Sequence, residues 1–588
     1  MARMVVLGIN ETHCATAAVL RDGRVIGCAS EERFSRLKND AGYPRRAVDA
    51  LLSQLGIAPS EIDLVALAGA RAASREWLNR VLHDEAYARE YYGVAWPTSR
   101  RTFNRKMRKL GARFGLMDAA RGKFGIPQDE RLGLVTDHLG IARERIACLD
   151  HHACHAAAAY FGSGFGGREA LVLTNDNSGD GLCATASTGR GFDLARHEAT
   201  ASAPGSLGAF YSFVTLALGM KFGEHEYKVM GLAPYAPERY AERAERALRE
   251  VFGMEAGQPA RFHWRKPGER YALLLRATLG LRFDWVAAGA QRLLEGLLLE
   301  WTRLMRQRYG GSRVALGGGV FMNVKANMLL AQEEWVEELF AFPSCGDESN
   351  AVGAAYLGYL AECARRGTAP TPAPFGPAYL GPSVTDADAE AVIRERNLHA
   401  RYKVAFHDRV EERIAELLVT DGVVARCAGR MEFGARALGN RSILANPGDP
   451  RVVGLINRMI KNRDFWMPFA PTVLAERAAE YLVNPKRLAS PYMMLAMPTT
   501  EAGRAALPAA LHPQDATARP QILERDWNPE YHAVIREFER RTGTGAVLNT
   551  SFNLHGEPVV ASAADAVDTF ERSGLPHVAI GHWLISKK

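Results

Sequence analysis

Four residues have the types and spacing to hold a divalent metal ion. In Asp150-His151-His152-Ala-Cys-His155-Ala-Ala-Ala-Ala-Tyr-Phe-Gly162 two histidines, 151 and 155, stand four apart. On a helix both imidazoles then share one face, while His152 points elsewhere. Asp150 and Gly162 are residue types that begin and end such a helix. Two imidazoles are too few ligands, and carboxylates must complete the set. The best candidates are Asp176, in Leu173-Thr-Asn-Asp176-Asn-Ser-Gly179-Asp180-Gly181, and Asp347, in Ser344-Cys-Gly-Asp347-Glu348. Imidazole nitrogens with hard carboxylate oxygens suit iron, manganese or zinc. His83, His197 and His263 are better read as surface or capping histidines.

Three turns after apolar runs could handle phosphate. Gly8-Ile-Asn-Glu-Thr-His13-Cys-Ala-Thr-Ala-Ala-Val-Leu20 reads as strand, polar turn and second strand, and the segment 173–181 repeats the arrangement about 165 residues later. Leu316-Gly317-Gly318-Gly319-Val-Phe-Met-Asn323 ends a third strand in three glycines. Backbone N–H groups in such turns cradle phosphate oxygens, and glycine lets the backbone approach closely. One such turn is weak evidence. Three in this order resemble the ATP-binding fold shared by actin, Hsp70 chaperones and sugar kinases, with Asn10, Gly179, Gly317, Gly318, Gly319 and Asn323 as the nucleotide-binding candidates.

The elements that must position these groups alternate. Short β-branched runs at 4–9, 24–28, 64–67, 170–174 and 313–316 alternate with helical patterns, which implies α/β architecture. Pro and Gly crowd residues 365–383, a composition that reads as a linker between two folded halves. Beyond it, 423–427 and 545–548 read as strands, and 408–420 and 564–572 as helices. The 588 residues are 47% apolar and 24% charged, which excludes a wholly disordered, fibrous or coiled-coil chain. The best membrane-span candidate, 272–301, is broken by Arg276, Arg282, Asp284 and Arg292. The apolar start at 4–9 runs into Asn10, Glu11 and His13 and reads as a buried strand, not a secretory signal. Eight cysteines without a CxxC pair fit reduced thiols in a cytoplasm. The net charge of +7 is local: segment 97–124 holds nine basic residues and one acid, +8, which leaves the rest at 7 − 8 = −1.

Longer strings resemble one family. Gly8-Ile-Asn-Glu-Thr-His13, Glu31-Glu-Arg-Phe-Ser-Arg36, Glu226-Tyr-Lys228-Val-Met-Gly-Leu-Ala-Pro-Tyr235 and Gly318-Gly-Val-Phe-Met-Asn323 are similar to the O-carbamoyltransferases of natural-product and nodulation-factor pathways. So are Gly429-Arg-Met-Glu-Phe-Gly-Ala-Arg436-Ala-Leu-Gly-Asn-Arg441-Ser442, Ile460-Lys461-Asn-Arg463-Asp-Phe-Trp-Met-Pro-Phe-Ala-Pro471, Asp515-Ala-Thr-Ala-Arg519-Pro-Gln521 and Leu548-Asn549-Thr-Ser551-Phe-Asn553-Leu-His-Gly-Glu557-Pro558. The HxxxH, acidic-turn, GGG and CGDES set also resembles the catalytic subunit of the tRNA threonylcarbamoyl transferases. The match spans nearly the whole chain except about 87–127. It departs from the usual pattern at Cys14 after His13, at Asn175 and Asn177 around Asp176, and at Ala435 before Arg436.

The resemblance implies an actin/Hsp70-like ATP-binding transfer domain over 1–365, a linker at 366–383, and a YrdC-like α/β domain over 384–588. The second would convert carbamoyl phosphate and Mg-ATP to carbamoyl adenylate, and the first would pass the carbamoyl group to a hydroxyl of a small-molecule antibiotic or sugar. Residue by residue it implies iron(II) or another divalent metal at His151, His155, Asp176 and Asp347, and His13 as general base. It also implies carbamoyl phosphate and nucleotide at Arg436, Lys461, Arg519, Asn549 and Ser551. Arg441 and Arg463 add cations in the same polar strings, and guanidinium forks suit phosphate. His13 has an intrinsic pKa near neutrality, which suits a base at working pH. The enzyme would be cytoplasmic, off the membrane, with a homodimer left open. Two alternatives are a tRNA-modifying enzyme, for which segment 97–124 would grip nucleic acid, and a non-enzymatic ATP-gated binding protein.

Overall fold

The β-branched runs of the first half pair into two sheets with one strand order, seen in a computed structural model that describes residues 3–84, 86–87, 125–202, 205–257, 260–265 and 270–588. The basic segment 97–124 lies outside them. Strands β1 (Val5–Asn10), β2 (Thr16–Arg21), β3 (Arg24–Ser30), β4 (Leu64–Ala68) and β5 (Ile146–Leu149) assemble as β3-β2-β1-β4-β5. The first three are antiparallel, and β4 and β5 run parallel to β1. Strands β6 (Ala170–Gly179), β7 (Leu182–Arg190) and β8 (Asp193–Ala201), a hairpin of β9 (Phe252–Glu255) and β10 (Arg261–Trp264), and β11 (Arg313–Gly317) and β12 (Glu338–Ala341) follow. Of these, β12-β11-β6-β7-β8 repeat the same order and directions. This duplication is the actin/Hsp70-like architecture expected from the three turns.

Every residue of β1 is buried, because the helix Asn350–Arg366 packs on β1, β2 and β4. The helix His151–Gly162 packs on β6 and β11, and the two helices pack on each other between the sheets. Small residues allow this. A Cβ on Gly353 would lie 1.8 Å from the Cys154 carbonyl oxygen, and Ala156 to Ala159 are all buried. Asp150 caps the helix as expected, accepting the Ala153 N–H at 2.7 Å; the helix closes at Ser163, one residue beyond Gly162.

The Pro/Gly-rich connection is packed rather than slack. The Phe375 N–H donates to the Gly162 carbonyl at 3.1 Å, and the Tyr492 hydroxyl donates to the carbonyls of Phe375 and Gly376 at 3.0 and 2.8 Å. A strand, β13 (Tyr379–Val384), begins inside the expected linker and pairs with β16, and Pro382 falls in the break of register between Tyr379 and Ser383, where no ladder pairing is lost.

The remaining strands are β14 (Lys403–Phe406), β15 (Val423–Cys427), β16 (Gly429–Glu432), β17 (Arg441–Ala445), β18 (Ala470–Leu474), β19 (Gln521–Leu523), β20 (Ala546–Ser551), β21 (His577–Ile580) and β22 (Trp583–Ser586). Except for β16, the partner of β13, they form one sheet, β14-β22-β21-β15-β17-β20-β18-β19. Side chains alternate across it with period two. Val424, Leu444 and Val547 meet the helices Val410–Thr420 and Pro529–Thr542. Val423, Ala425, Ile443 and Leu548 meet helices on the opposite face. No helix among the described residues is long and apolar enough to cross a membrane.

Candidate active site

The first-half turns converge at the N-termini of the two central helices. There the Nε2 atoms of His151 and His155 lie 3.1 Å apart. Asp176 Oδ2 is 3.3 Å from His151 Nε2 and 3.5 Å from His155 Nε2, and Asp347 Oδ1 is 3.5 and 3.8 Å away. Ligand atoms bound at about 2.0–2.2 Å to one ion stand about 3–3.5 Å apart, so two imidazole nitrogens and two carboxylate oxygens fit a divalent metal. Outer bonds orient them. Thr12 Oγ1 donates to Asp347 Oδ2 at 2.5 Å, the Gly319 N–H to Asp176 Oδ1 at 3.2 Å, and Ser349 Oγ lies 3.1 Å from His155 Nδ1. Burial opposes a charged His155, yet the two aspartates raise it to about 9, and Asp176 is held well below the usual carboxylate range despite its burial by the two imidazoles. A divalent metal bound at these imidazoles would take the place of a proton and bring more positive charge. His152 does turn away, its Nδ1 2.8 Å from Thr174 Oγ1; burial and the neighbouring imidazoles push it down to about 3, so it stays neutral.

Sequence reasoning missed several supports of this group. Asn350 places its side-chain amide 3.2 Å from His155 Nε2 and 3.3 Å from His151 Nδ1. It directly follows the CGDES string and its position was readable, but nothing in its type marked it. Gly179 has a second use, since a Cβ there would lie 2.0 Å from the His151 ring. Gly317 and Gly318 stand behind the wall, Gly318 (φ 95) against the Asn175 carbonyl, whereas Gly179, Gly319 and Asn323 face the chamber. Asn10 shapes the first turn from within, donating from Nδ2 to the carbonyls of His13 and Cys14 at 3.1 and 3.4 Å. His13 then faces the chamber, with Cys14 Sγ 3.4 Å from its Nδ1.

The second half contributes cations. A π-helical turn, Asn457–Lys461, followed by left-handed Asn462 (φ 43), delivers Lys461 and Arg463 together. Lys461 Nζ donates to Asn553 Oδ1 at 2.7 Å and to Ser551 Oγ at 3.1 Å. Arg463 donates to Thr550 Oγ1 at 3.1 Å and lies 5.0 Å over the Phe469 ring. Arg436 Nε is buried without a partner. Among the described residues no carboxylate forms an ion pair with Lys461, Arg436, Arg463 or Arg519. Burial lowers all four, and neighbouring cations add to it at Arg436, Lys461 and Arg519: Arg436 falls to about 10 and Lys461 and Arg519 well below their ordinary values. Such a group suits a multiply charged anion.

Arg441 is not among them. It is fully buried and donates to the carbonyls of Asn440, Ala428, Ala561 and Gly429 at 2.9 to 3.2 Å. Its place at the start of β17 turns the guanidinium into the backbone, away from the chamber. Asn549 and Ser551 line a recess of about 50 Å³ beside Arg436 and Arg519. The Asn549 amide donates to Ala437 O and Thr472 Oγ1, each at 3.1 Å.

Both groups face one chamber of about 1400 Å³ between the halves, lined by His13, His151, Asp176 and Asp347 on one side and by Arg436, Lys461, Arg463 and Arg519 on the other. Lys38 also lines it, paired with Glu224 at 2.8 Å; it lies just past the Glu31–Arg36 string and no motif marked it.

A duplicated ATPase-like fold joined to a second α/β sheet, with a metal-ready group and a cation group on one chamber, defines a group-transfer enzyme. The chain belongs to the carbamoyltransferase family: residues 5–356 match the carbamoyltransferase N-terminus and residues 415–587 the carbamoyltransferase C-terminus. It is 32% identical over 596 residues to nodulation protein NolNO of Sinorhizobium fredii, covering 98% of this chain and 79% of that one. It is 31% identical over 272 residues to nodulation protein U of Rhizobium fredii, covering 46% and 43%. Among solved structures, HypF of T. kodakarensis covers 61% of this chain and 48% of its own at 14% identity, with a TM-score of 0.32.

Proposed function

We propose that this carbamoyltransferase is ATP-dependent and acts on a hydroxyl of a small-molecule acceptor. In this reading residues 384–588 take carbamoyl phosphate and Mg-ATP and join the carbamoyl group to AMP. Water releases phosphate from the first to leave carbamate, whose oxygen attacks the α-phosphate of the second and displaces pyrophosphate. Residues 1–365 then pass the carbamoyl group to the acceptor oxygen, and AMP and a proton are released. The observation that supports the reading best is the single chamber of about 1400 Å³ that both residue groups line, through which an activated, water-sensitive carbamoyl group can move without entering bulk solvent.

Each side chain then has a task. Arg436, Lys461, Arg463 and Arg519 bind and orient the phosphates and stabilise the charge that develops on the leaving groups. Ser551 and Asn549 hold the small carbamoyl end in the recess. His13 accepts the hydroxyl proton. A divalent metal such as iron(II), held by His151, His155, Asp176 and Asp347, supplies Lewis-acid polarisation of an oxygen when bound. Gly179, Gly319 and Asn323 approach nucleotide phosphates or ribose on the same wall. Incubating metal-loaded protein with carbamoyl phosphate and ATP tests the reading. Pyrophosphate is expected, with AMP following once an acceptor is added, and absence of pyrophosphate would remove the adenylate from the scheme.

A further inference from the structure

The two loops that carry the chemistry of the two halves are hydrogen-bonded to each other. One leads from Phe342 to Glu348 and bears Asp347; the other leads from Phe433 to Arg436. Both rise from a shared aromatic base. The Phe342 and Phe433 rings lie 6.4 Å apart, and both pack on Phe375, at 4.9 and 6.0 Å. At the tips, Ser344 Oγ accepts the Ala435 N–H at 2.9 Å and donates to the Glu348 carboxylate, next in the chain to Asp347. Ser344 is left-handed (φ 54) though it carries a Cβ, a conformation that costs energy and persists where surrounding bonds enforce it. Gly434 (φ 95) faces it so closely that a Cβ there would lie 2.7 Å from the Ser344 Cβ. Arg33 pins the same loop from the first sheet, donating to the Gly434 carbonyl at 2.8 Å.

We infer that Ser344 is a positioning residue coupling the two sites, so that an oxyanion held by Arg436 and a metal held by Asp347 each favour the same loop placement and tighten each other's binding. The inference rests on the metal and anion assignments proposed above. Ser344 touches neither ligand. It acts through Ala435, one residue before Arg436, and through Glu348, one residue after Asp347. Ordering one loop orders the other, and the second ligand then binds a chain already arranged for it.

The test uses the full chain, Co(II) as the metal and sulfate as an oxyanion that does not react. Each affinity is measured by calorimetry alone and in the presence of the other. In the wild type, saturating sulfate should tighten Co(II) by about fivefold or more, and Co(II) should tighten sulfate by the same factor, as linkage requires. Ser344→Ala and Ser344→Gly should each bring that factor to about one. A merely structural serine would change melting temperature or the separate affinities and leave the factor intact. Ser344→Gly removes the hydroxyl while easing the left-handed backbone, so it keeps the test open if Ser344→Ala does not fold. Independent binding in the wild type, or coupling that survives in both variants, overturns the inference and leaves the proposed function standing. A wild type that binds neither Co(II) nor sulfate overturns both.

Discussion

At the His151–Asp347 end of the chamber, two imidazoles and two carboxylates lie 3.3–3.8 Å apart, and against its burial the two aspartates raise His155 to about 9. At the Lys461–Arg519 end, four cations face the same space, and among the described residues no carboxylate is paired to any of them. The first end holds both signs of charge in a geometry that fits one cation. The second is compensated by what binds. On the proposed reading, one is a site whose ligand would organise chemistry, and the other a site whose occupancy would change the stability of the fold.

Breaking the metal end should have the largest effect. His151→Ala is expected to remove bound metal and lower carbamoyl transfer by about 10³-fold or more, the several kcal/mol that a Lewis acid supplies. Metal content and product formation on the same samples check it. Breaking the cation end separates the two roles. Lys461→Ala should stop pyrophosphate formation from carbamoyl phosphate and ATP, and supplied carbamoyl adenylate should restore product. His13→Ala, expected to cost about 10²–10⁴-fold, should not be rescued. The opposite pattern would reverse the assignment of the halves.

Arg441 sharpens the contrast because it is a buried arginine of another kind, with its donors spent on carbonyls. Arg441→Lys should cost about 2–4 kcal/mol of stability by leaving acceptors unpaired, while phosphate still protects the folded protein. Denaturant midpoints with and without phosphate measure both. Lys461→Met should do the reverse, adding about 1–2 kcal/mol to the ligand-free protein and abolishing phosphate protection. The pH dependence has a definite sign. Burial, Arg463 and Lys38 hold Lys461 well below its ordinary 10.5 in the folded chain. Between the folded value and 10.5 the unfolded chain binds more protons, so ligand-free stability rises with pH through that window. Lys461→Met should remove Lys461's part of that rise.

The metal group was legible because its chemistry is written in residue types: HxxxH fixes two ligands on one helix face, and few carboxylates sit in turns of the right kind. The duplicated fold was legible because each half repeats a strand, a polar turn and a strand, at 4–20 and again at 170–190. Arg441 was not. An arginine in a Gly-punctuated string reads alike whether its guanidinium faces a ligand or the backbone, and only the register of β17 decides. Ser344, Thr12 and Asn350 were silent for a different reason. They act through contacts spanning 91, 335 and 199 residues of sequence, which no local pattern encodes. The strand at Tyr379–Val384 hid inside a Pro/Gly-rich composition because a two-stranded edge tolerates both.

The central claim is that the carbamoyl group is activated and transferred within one chamber of one chain. Mixing equal amounts of Lys461→Ala and His13→Ala protein with carbamoyl phosphate, ATP, metal and acceptor tests it most directly. Each variant keeps the end that the other lacks. Internal passage predicts that the mixture makes almost no product, since the adenylate formed by His13→Ala protein stays beside a base that is gone. Product at a rate approaching that of the wild type would show an intermediate travelling freely between molecules, and would contradict the account.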